Sequence, residues 1–504
     1  MTTTNAGTAT SYVQAKTARV AVSVLILIWI FWLFTSEIRT RDTNEASNLS
    51  AGPESLLTET ESESTQYDTT HGLLPLGSVP SKAELEAERE QYDLADSLPS
   101  SGSQASKSEA DPATERYDVA DAALLRLCNK TQWTTGLWLS CHSNCGPNRA
   151  SICGGVNNAR NRLQSCLRLA IEIGAGVIFP YVTQRSEDNI GALQESVVCP
   201  SMWLDTQRLT KSMGELCPGM HILPCEEQPK IERVVALPGR DYRERPHFNG
   251  TFNTFVTNEL SSKNISIDNV THEDPLLLRF GDSHIAWDYR ASGELATLRK
   301  ALFRVMPFNK SLLSLGNAIF SSKGLLDGNF VGIHLRAESD WPSYWGTPAR
   351  QMEMHAAEIR RLNAEASEPT TSIYVSCGDK VAIQNFRDIM SADNYTVHDK
   401  WTLLADRPDV LETVDRLTFD QKAVVEYSVL VRGRYFQGNL ISTMSSIIAY
   451  TRTMDQPDFF KTNIYPDTQR WGLDRFYHEP LTIKGDEFTK EFVINGQDIM
   501  DAFP

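Results

Sequence analysis

From residue 330 onward, four short apolar runs alternate with four stretches of helical periodicity. Residues 330–336 (FVGIHLR), 371–377 (TSIYVSC), 394–398 and 434–438 (RYFQG) predict strands. Residues 348–366, 380–390, 419–431 and 441–452 predict helices. Strands separated by helical crossovers pair in parallel, through right-handed connections, and need cover on both faces. The second half of the chain is therefore expected to be an α/β layer structure. Ligands of such sheets bind at the carboxyl ends of the strands. Arg336, Ser376, Gly378, Asp379, Gly438 and Asn439 fall at those ends. Upstream, residues 154–181 read as a loop, a helix and a short strand. Asn157 or Asn158 is placed to cap that helix, and Gly174 and Gly176 to stop it. Residues 183–275 show less regularity and are expected to hold loops and disulfides. No internal repeat is visible.

Residues 20–34 (VAVSVLILIWIFWLF) form an apolar stretch, which reaches about 17 residues if extended to Ser36, the lower limit for a spanning helix. Lys16 and Arg19 precede it with no acid before them, which places the N-terminus in the cytoplasm. The rival is a cleaved signal peptide, but the stretch is long for one and no small-x-small site follows it. From residue 37 to about 120 the chain is rich in Ser, Thr, Glu, Asp and Ala and poor in aromatics. Such a composition cannot repay its ordering entropy by burial, and predicts a disordered stem.

Eight of the nine cysteines lie between positions 128 and 225, and Cys377 stands alone. An even cluster in an exported chain predicts disulfides of undetermined pairing. The alternative, a zinc site from Cys141, His142 and Cys145, suits an oxidising lumen less well. Cys377, inside an apolar run, reads as a buried free thiol. Sequons at Asn48, Asn129, Asn249, Asn264, Asn269, Asn309 and Asn394 agree with a luminal fate. The formal net charge of −16 argues against a nucleic-acid binder, which needs clustered Lys and Arg.

Three stretches carry chemistry. In His334-Leu335-Arg336-Ala337-Glu338-Ser339-Asp340-Trp341 a buried strand runs directly into bases and acids. Its Arg offers a rigid fork of donors suited to a diphosphate. The plainer alternative is a surface pair of Arg336 with Glu338 or Asp340. Gly438-Asn439-Leu440-Ile441-Ser442-Thr443-Met444-Ser445-Ser446 is a strand, a turn and a helix start, whose N–H groups and hydroxyls form an anion site or a simple N-cap. Gly154-Gly155-Val156-Asn157-Asn158-Ala159-Arg160 lets a backbone approach a ligand, or is a plain turn.

In that order, GGVNNAR, FVGIHLRAESDW, SIYVSCGD and FQGNLISTMSS resemble the GDP-fucose O-fucosyltransferases, and GIHLRxxSDW looks like the protein O-fucosyltransferases among them. The resemblance covers roughly residues 125–455. Ala159 stands where the family pattern has Gln. It implies a GT-B fold of two Rossmann-like lobes with the site between them. The expected organisation is a cytoplasmic tail (1–19), a transmembrane signal anchor (20–36), a disordered luminal stem (37–121), a disulfide-rich N-terminal lobe on the acceptor side (122–324) and a C-terminal lobe on the nucleotide-sugar side (325–504). The implied protein is a type II Golgi (or ER) membrane glycosyltransferase that transfers fucose from GDP-fucose to a hydroxyl of a protein or glycan, with inversion and without a metal or other cofactor. The chain has no Asp-x-Asp, the arrangement with which many transferases hold a diphosphate-bound metal.

The roles that follow are these. Arg336 stabilises the leaving group, and His334 contacts the nucleotide or orients Arg336. Ser442, Thr443 and Asn439 hold the diphosphate. Asn157, Asn158 and Arg160 close the site from the other lobe. Asp379 faces ribose or guanine. Asp340 lies beside the donor. Glu338 is the candidate general base, although pairing with Arg336 would weaken it. Two other readings are a transferase for another nucleotide sugar such as GDP-mannose, and an inactive membrane-anchored binding protein of the same fold. A disulfide-rich adhesion module fits the β–α alternation poorly.

Overall fold

The structure is a computed structural model. It describes residues 117–187, 189–239, 251–281, 287–341, 347–439, 442–454 and 461–465, with Thr489 and Val493. The chain divides into two compact units, Met1–Ala105 and Ser106–Pro504, and every described residue belongs to the second. The expected anchor, and the expected stem up to residue 116, lie outside the described residues. Among the described residues no helix is long and apolar enough to cross a membrane.

The first lobe opens with α1 (Val119–Lys130), β1 (Leu137–His142), α2 (Val156–Ile173) and β2 (Gly176–Ile178). A hairpin of β3 (Val182–Arg185) and β4 (Leu193–Val198) follows, then α3 (Thr206–Leu216), β5 (Ile222–Leu223), β6 (Arg233–Pro238), α4 (Thr251–Ser262), β7 (Leu276–Gly281) and α5 (Lys310–Phe320). Its sheet is parallel throughout, in the order β5-β2-β1-β7-β6. The stretch expected to be irregular therefore supplies β5 and β6 of this sheet and the β3–β4 hairpin. These strands are short and mixed in polarity: β6 alternates buried Val235 and Leu237 with exposed neighbours, and β5 has two residues.

The second lobe contains β8 (Val331–His334), α6 (Pro348–Glu365), β9 (Ser372–Ser376), α7 (Lys380–Ser391), β10 (Thr396–His398), α8 (Pro408–Asp415), α9 (Phe419–Leu430), β11 (Tyr435–Asn439), α10 (Thr443–Thr453) and β12 (Thr462–Tyr465). Its sheet is also parallel, in the order β10-β9-β8-β11-β12. Two parallel sheets with helical cover is the α/β architecture expected from the sequence.

Helix α2 joins the lobes. Nearly every position of it is buried, including Arg160, Arg162 and Arg168. The reason is that α2 packs on β1 and β2 and also against α9 and α10 of the second lobe. One hydrophobic cluster accordingly runs from Leu163 and Leu167 to Val424 and Ile447, while Ile333, Ile359 and Phe386 belong to a separate one. The cap differs from expectation. Gly155 is the N-cap, with no side-chain bond, so Asn157 and Asn158 occupy the first turn. Gly174 ends the helix at φ 65°, and a Cβ there would meet Gln132 O at 1.9 Å, so both conformation and space require glycine.

The disulfides pair Cys128 with Cys217, Cys141 with Cys166, Cys145 with Cys153 and Cys199 with Cys225. Cys141 and Cys145 thus bond to different partners, which removes the zinc alternative. Cys377 is free and buried.

Candidate active site

The carboxyl ends of β8 and β9 and the N-termini of α2 and α10 converge on one cleft of about 560 Å³. Its walls come from both lobes. His334, Arg336, Glu338, Asp340, Asp379, Ser442 and Thr443 face Asn157 and Asn158 across it.

Arg336 follows the last turn of a buried strand, where the chain leaves the sheet. Gln351 of α6 fixes its backbone: the Arg336 N–H donates to Gln351 Oε1 (3.0 Å), and Gln351 Nε2 donates to Arg336 O (2.7 Å). The guanidinium donates from Nη1 to Glu338 and from Nη2 to Asp340 Oδ1 (2.6 Å). Burial disfavours its charge, but the two carboxylates outweigh burial and raise its proton affinity. Both functions weighed for this Arg thus meet in one place: it is paired with the acids, and it lines the cleft. Burial likewise raises the affinity of Glu338 for a proton, but Arg336 and the Gly378 N–H (2.8 Å to Oε1) prevail and hold its pKa below the usual range. With one oxygen on Arg336 and the other on Gly378, Glu338 is a poor proton acceptor.

His334 is buried, and burial, with a smaller push from Arg336, brings its pKa down to about 4. It is therefore neutral near pH 7. Its Nδ1 lies 2.8 Å from Ser445 Oγ, and that hydroxyl also accepts the Asn439 N–H (2.9 Å). Ser445 so links the end of β8 to the start of α10. A Cβ on Gly438 would stand 2.5 Å from its oxygen. Ser442 is the N-cap of α10 but makes no side-chain cap bond, which leaves its hydroxyl and the first-turn N–H groups at the cleft. Asp379 also lines the cleft, but its Oδ1 already accepts from the Val381 and Ala382 N–H groups as the cap of α7.

Two expected site residues fall elsewhere. Arg160 is fully buried inside the first lobe. It donates to Phe303 O (2.7 Å) and Met306 O (3.3 Å), and its guanidinium lies 4.0 Å from the Phe303 ring centroid. Burial lowers its pKa to about 10. It braces the wall behind α2 and does not line the cleft. Asn439 is buried at the end of β11, behind the lining. By contrast, Asn157 and Asn158 line the cleft, and their buried Oδ1 atoms have no hydrogen-bond partner among the described residues. Buried acceptors without partners are costly unless a ligand donates to them.

The cleft also holds residues that sequence reasoning missed. Arg185, at the end of β3, donates to Asp340 Oδ2 (3.1 Å), so one carboxylate bridges two guanidiniums from opposite lobes. Lys400 and Glu426 form a buried pair at 2.8 Å; Glu426 also accepts from Tyr374 OH, and Lys400 donates to Cys377 O (3.2 Å). Asp420, on α9, accepts the Val156 N–H (3.0 Å). Lys400 follows β10, so the strand-end rule applied to that strand would have found it. Arg185, Glu426 and Asp420 carried no such signal. Cys377 lines the cleft too, but burial pushes its thiol pKa far above the ordinary value and leaves it unreactive. Among the described residues, the one group with metal-ligand spacing is Cys199, Cys225 and Glu226, whose two sulfurs are bonded to each other.

Residues 247–455 match the family model described as GDP-fucose protein O-fucosyltransferase. The chain is an O-fucosyltransferase-like glycosyltransferase. The matched segment carries Arg336, Glu338 and Asp340, and the start of α10. No curated protein matches the chain in sequence. Among solved structures, POFUT1 in complex with GDP-fucose aligns over 66% of this chain and 98% of its own, at 11% identity and a TM-score of 0.41. The fucosyltransferase NodZ from Bradyrhizobium aligns over 60% of this chain and 88% of its own, at 11% identity and a TM-score of 0.32.

Proposed function

We propose that the chain transfers fucose from GDP-fucose to a hydroxyl of a protein or glycan, with inversion and without a metal, as a type II membrane enzyme of the Golgi or ER. The observation that carries this reading is that the family-matched segment supplies both Arg336 and the N-terminus of α10 to a single cleft, whose other wall holds Asn157 and Asn158 with Oδ1 atoms that lack partners among the described residues. The cleft size suits a sugar nucleotide, since such sites are typically about 300–1,000 Å³.

In this mechanism the diphosphate lies along the first turn of α10, where N–H groups and the hydroxyls of Ser442 and Thr443 meet negative charge. Arg336 meets the charge that grows on the departing GDP. Its fixed fork is aimed before the reaction begins, so no solvent has to reorganise. His334, neutral near pH 7, offers a hydrogen bond without adding charge. Asn157 and Asn158 accept donors from the sugar or the base. Arg185 and Arg336 supply the positive charge that a metal would otherwise bring. The apolar stretch at 20–34, the sequons and the four disulfides support a luminal site.

Calorimetry on the purified full chain with GDP, GDP-fucose, GDP-mannose and UDP tests the donor. Binding of GDP and GDP-fucose but not UDP is expected, with affinity changing by less than about twofold in EDTA, far from a tenfold effect of 1.4 kcal/mol. Loss of binding in EDTA would refute the metal-free reading. Preference for GDP-mannose would reassign the sugar.

A further inference from the structure

Seven carboxylates among the described residues line the cleft: three have both oxygens committed, Glu187 and Asp415 are exposed, and Asp379 Oδ1 caps α7 by accepting two N–H groups. Both oxygens of Glu338 are taken, by Arg336 and the Gly378 N–H. Those of Asp340 hold Arg336 and Arg185. Those of Glu426 hold Lys400 and Tyr374. Asp420 differs. Its Oδ1 accepts a single backbone N–H, from Val156 of α2, while Oδ2 makes no hydrogen bond among the described residues. It forms no salt bridge among the described residues, although Arg185 is close enough to act on it.

Its position is as distinctive as its bonding. Asp420 projects from the second lobe onto the N-terminus of α2 in the first, at the seam where the lobes face each other. A Cβ on Gly155 would stand 3.5 Å from Asp420 Oδ1 and 2.9 Å from Arg185 Nη2. Contacts then run from Arg185 to Asp340 and on to Arg336. Asp420 therefore lines the same cleft as Arg336 and is joined to it through the charges of Arg185 and Asp340. Resting on the fucosyltransferase reading above, we propose that Asp420 is the general base of the transfer, the carboxylate that takes the proton from the acceptor hydroxyl. This replaces Glu338 in that role.

The step balances as follows. The acceptor O–H proton passes to Asp420 Oδ2, and the oxygen forms a bond to C1 of the sugar. The C1–O bond to the β-phosphate breaks, and its electron pair stays on GDP beside Arg336. Asp420 then returns its proton to solvent. Burial raises the proton affinity of this carboxylate, and Arg185 and the Val156 N–H only partly oppose it, which suits a group that must accept a proton near neutral pH.

The test uses the purified full chain, with water as acceptor. Asp420→Asn keeps an oxygen for the Val156 N–H, so folding and GDP-fucose affinity should hold. Hydrolysis of GDP-fucose should fall by about 10²–10⁴-fold, the usual contribution of a general base. Azide, which needs no deprotonation, should restore turnover in Asp420→Ala and release fucosyl azide. Hydrolysis near wild type in Asp420→Asn overturns the proposal. So does loss of hydrolysis that azide fails to rescue while GDP-fucose still binds, because a merely structural residue behaves that way. A wild-type chain that does not bind GDP-fucose, or binds it and leaves it intact, refutes the donor reading itself and this role with it.

Discussion

Arg336→Ala is expected to slow release of GDP from GDP-fucose by about 10²–10³-fold, the usual effect of removing one preorganised donor from a developing anion. The fold should tolerate the change. Asp340 keeps Arg185 at 3.1 Å and Glu338 keeps the Gly378 N–H at 2.8 Å, so neither acid is left without a partner. Some stability should be lost with these part-buried ion pairs, less than for the deeper Lys400–Glu426 pair, while single-turnover rates collapse. Arg336→Lys should recover only part of the rate, because an ammonium is a point charge and lacks the planar fork. Turnover of Arg336→Ala near wild type would remove the leaving-group role. A matching collapse in stability would assign the residue to the fold.

The second large effect concerns stability. Lys400 and Glu426 have side chains only 4% and 5% exposed and meet at 2.8 Å. Taking away one member of a buried pair leaves the other charge without compensation, which typically costs about 3–5 kcal/mol. Lys400→Met is expected to lower unfolding stability by that amount, with Glu426 left to Tyr374 OH alone. Lys400→Met combined with Glu426→Leu should recover most of the loss, since replacing both partners by apolar groups is often near neutral. Denaturant midpoints of the wild type, both single variants and the double variant form the cycle. A Lys400→Met variant as stable as wild type would mean that the pair is solvated in solution.

What the sequence disclosed depended on whether a signal was local. A burst of charge after FVGIHL can survive only where a strand leaves a buried sheet, and that placed Arg336, Glu338 and Asp340 correctly at the mouth of β8. The hydroxyl-rich start of α10 was legible for the same reason. Arg160 misled because it follows Asn157 and Asn158 in one motif, yet lies a turn deeper in α2, where carbonyls of Phe303 and Met306 take its donors. Arg185, Asp420 and Glu426 were invisible because only tertiary folding brings the hairpin, α9 and α2 together. The disulfides were countable but not assignable, since eight cysteines allow 105 pairings. Glu338 is the instructive case. Sequence alone made it the natural base, and sequence also warned that Arg336 would bind it; the hydrogen bonds to Arg336 and Gly378 decide between the two.

The most direct test of the central claim is steady-state release of GDP from GDP-fucose by the purified full chain, measured beside GDP-mannose and UDP-sugars. Release from GDP-fucose above the solvent background, slowed about 10²–10³-fold in Arg336→Ala, is the predicted result. Tight binding of GDP-fucose with no release of GDP from any donor would contradict it and make the chain a binding protein that has kept the fold.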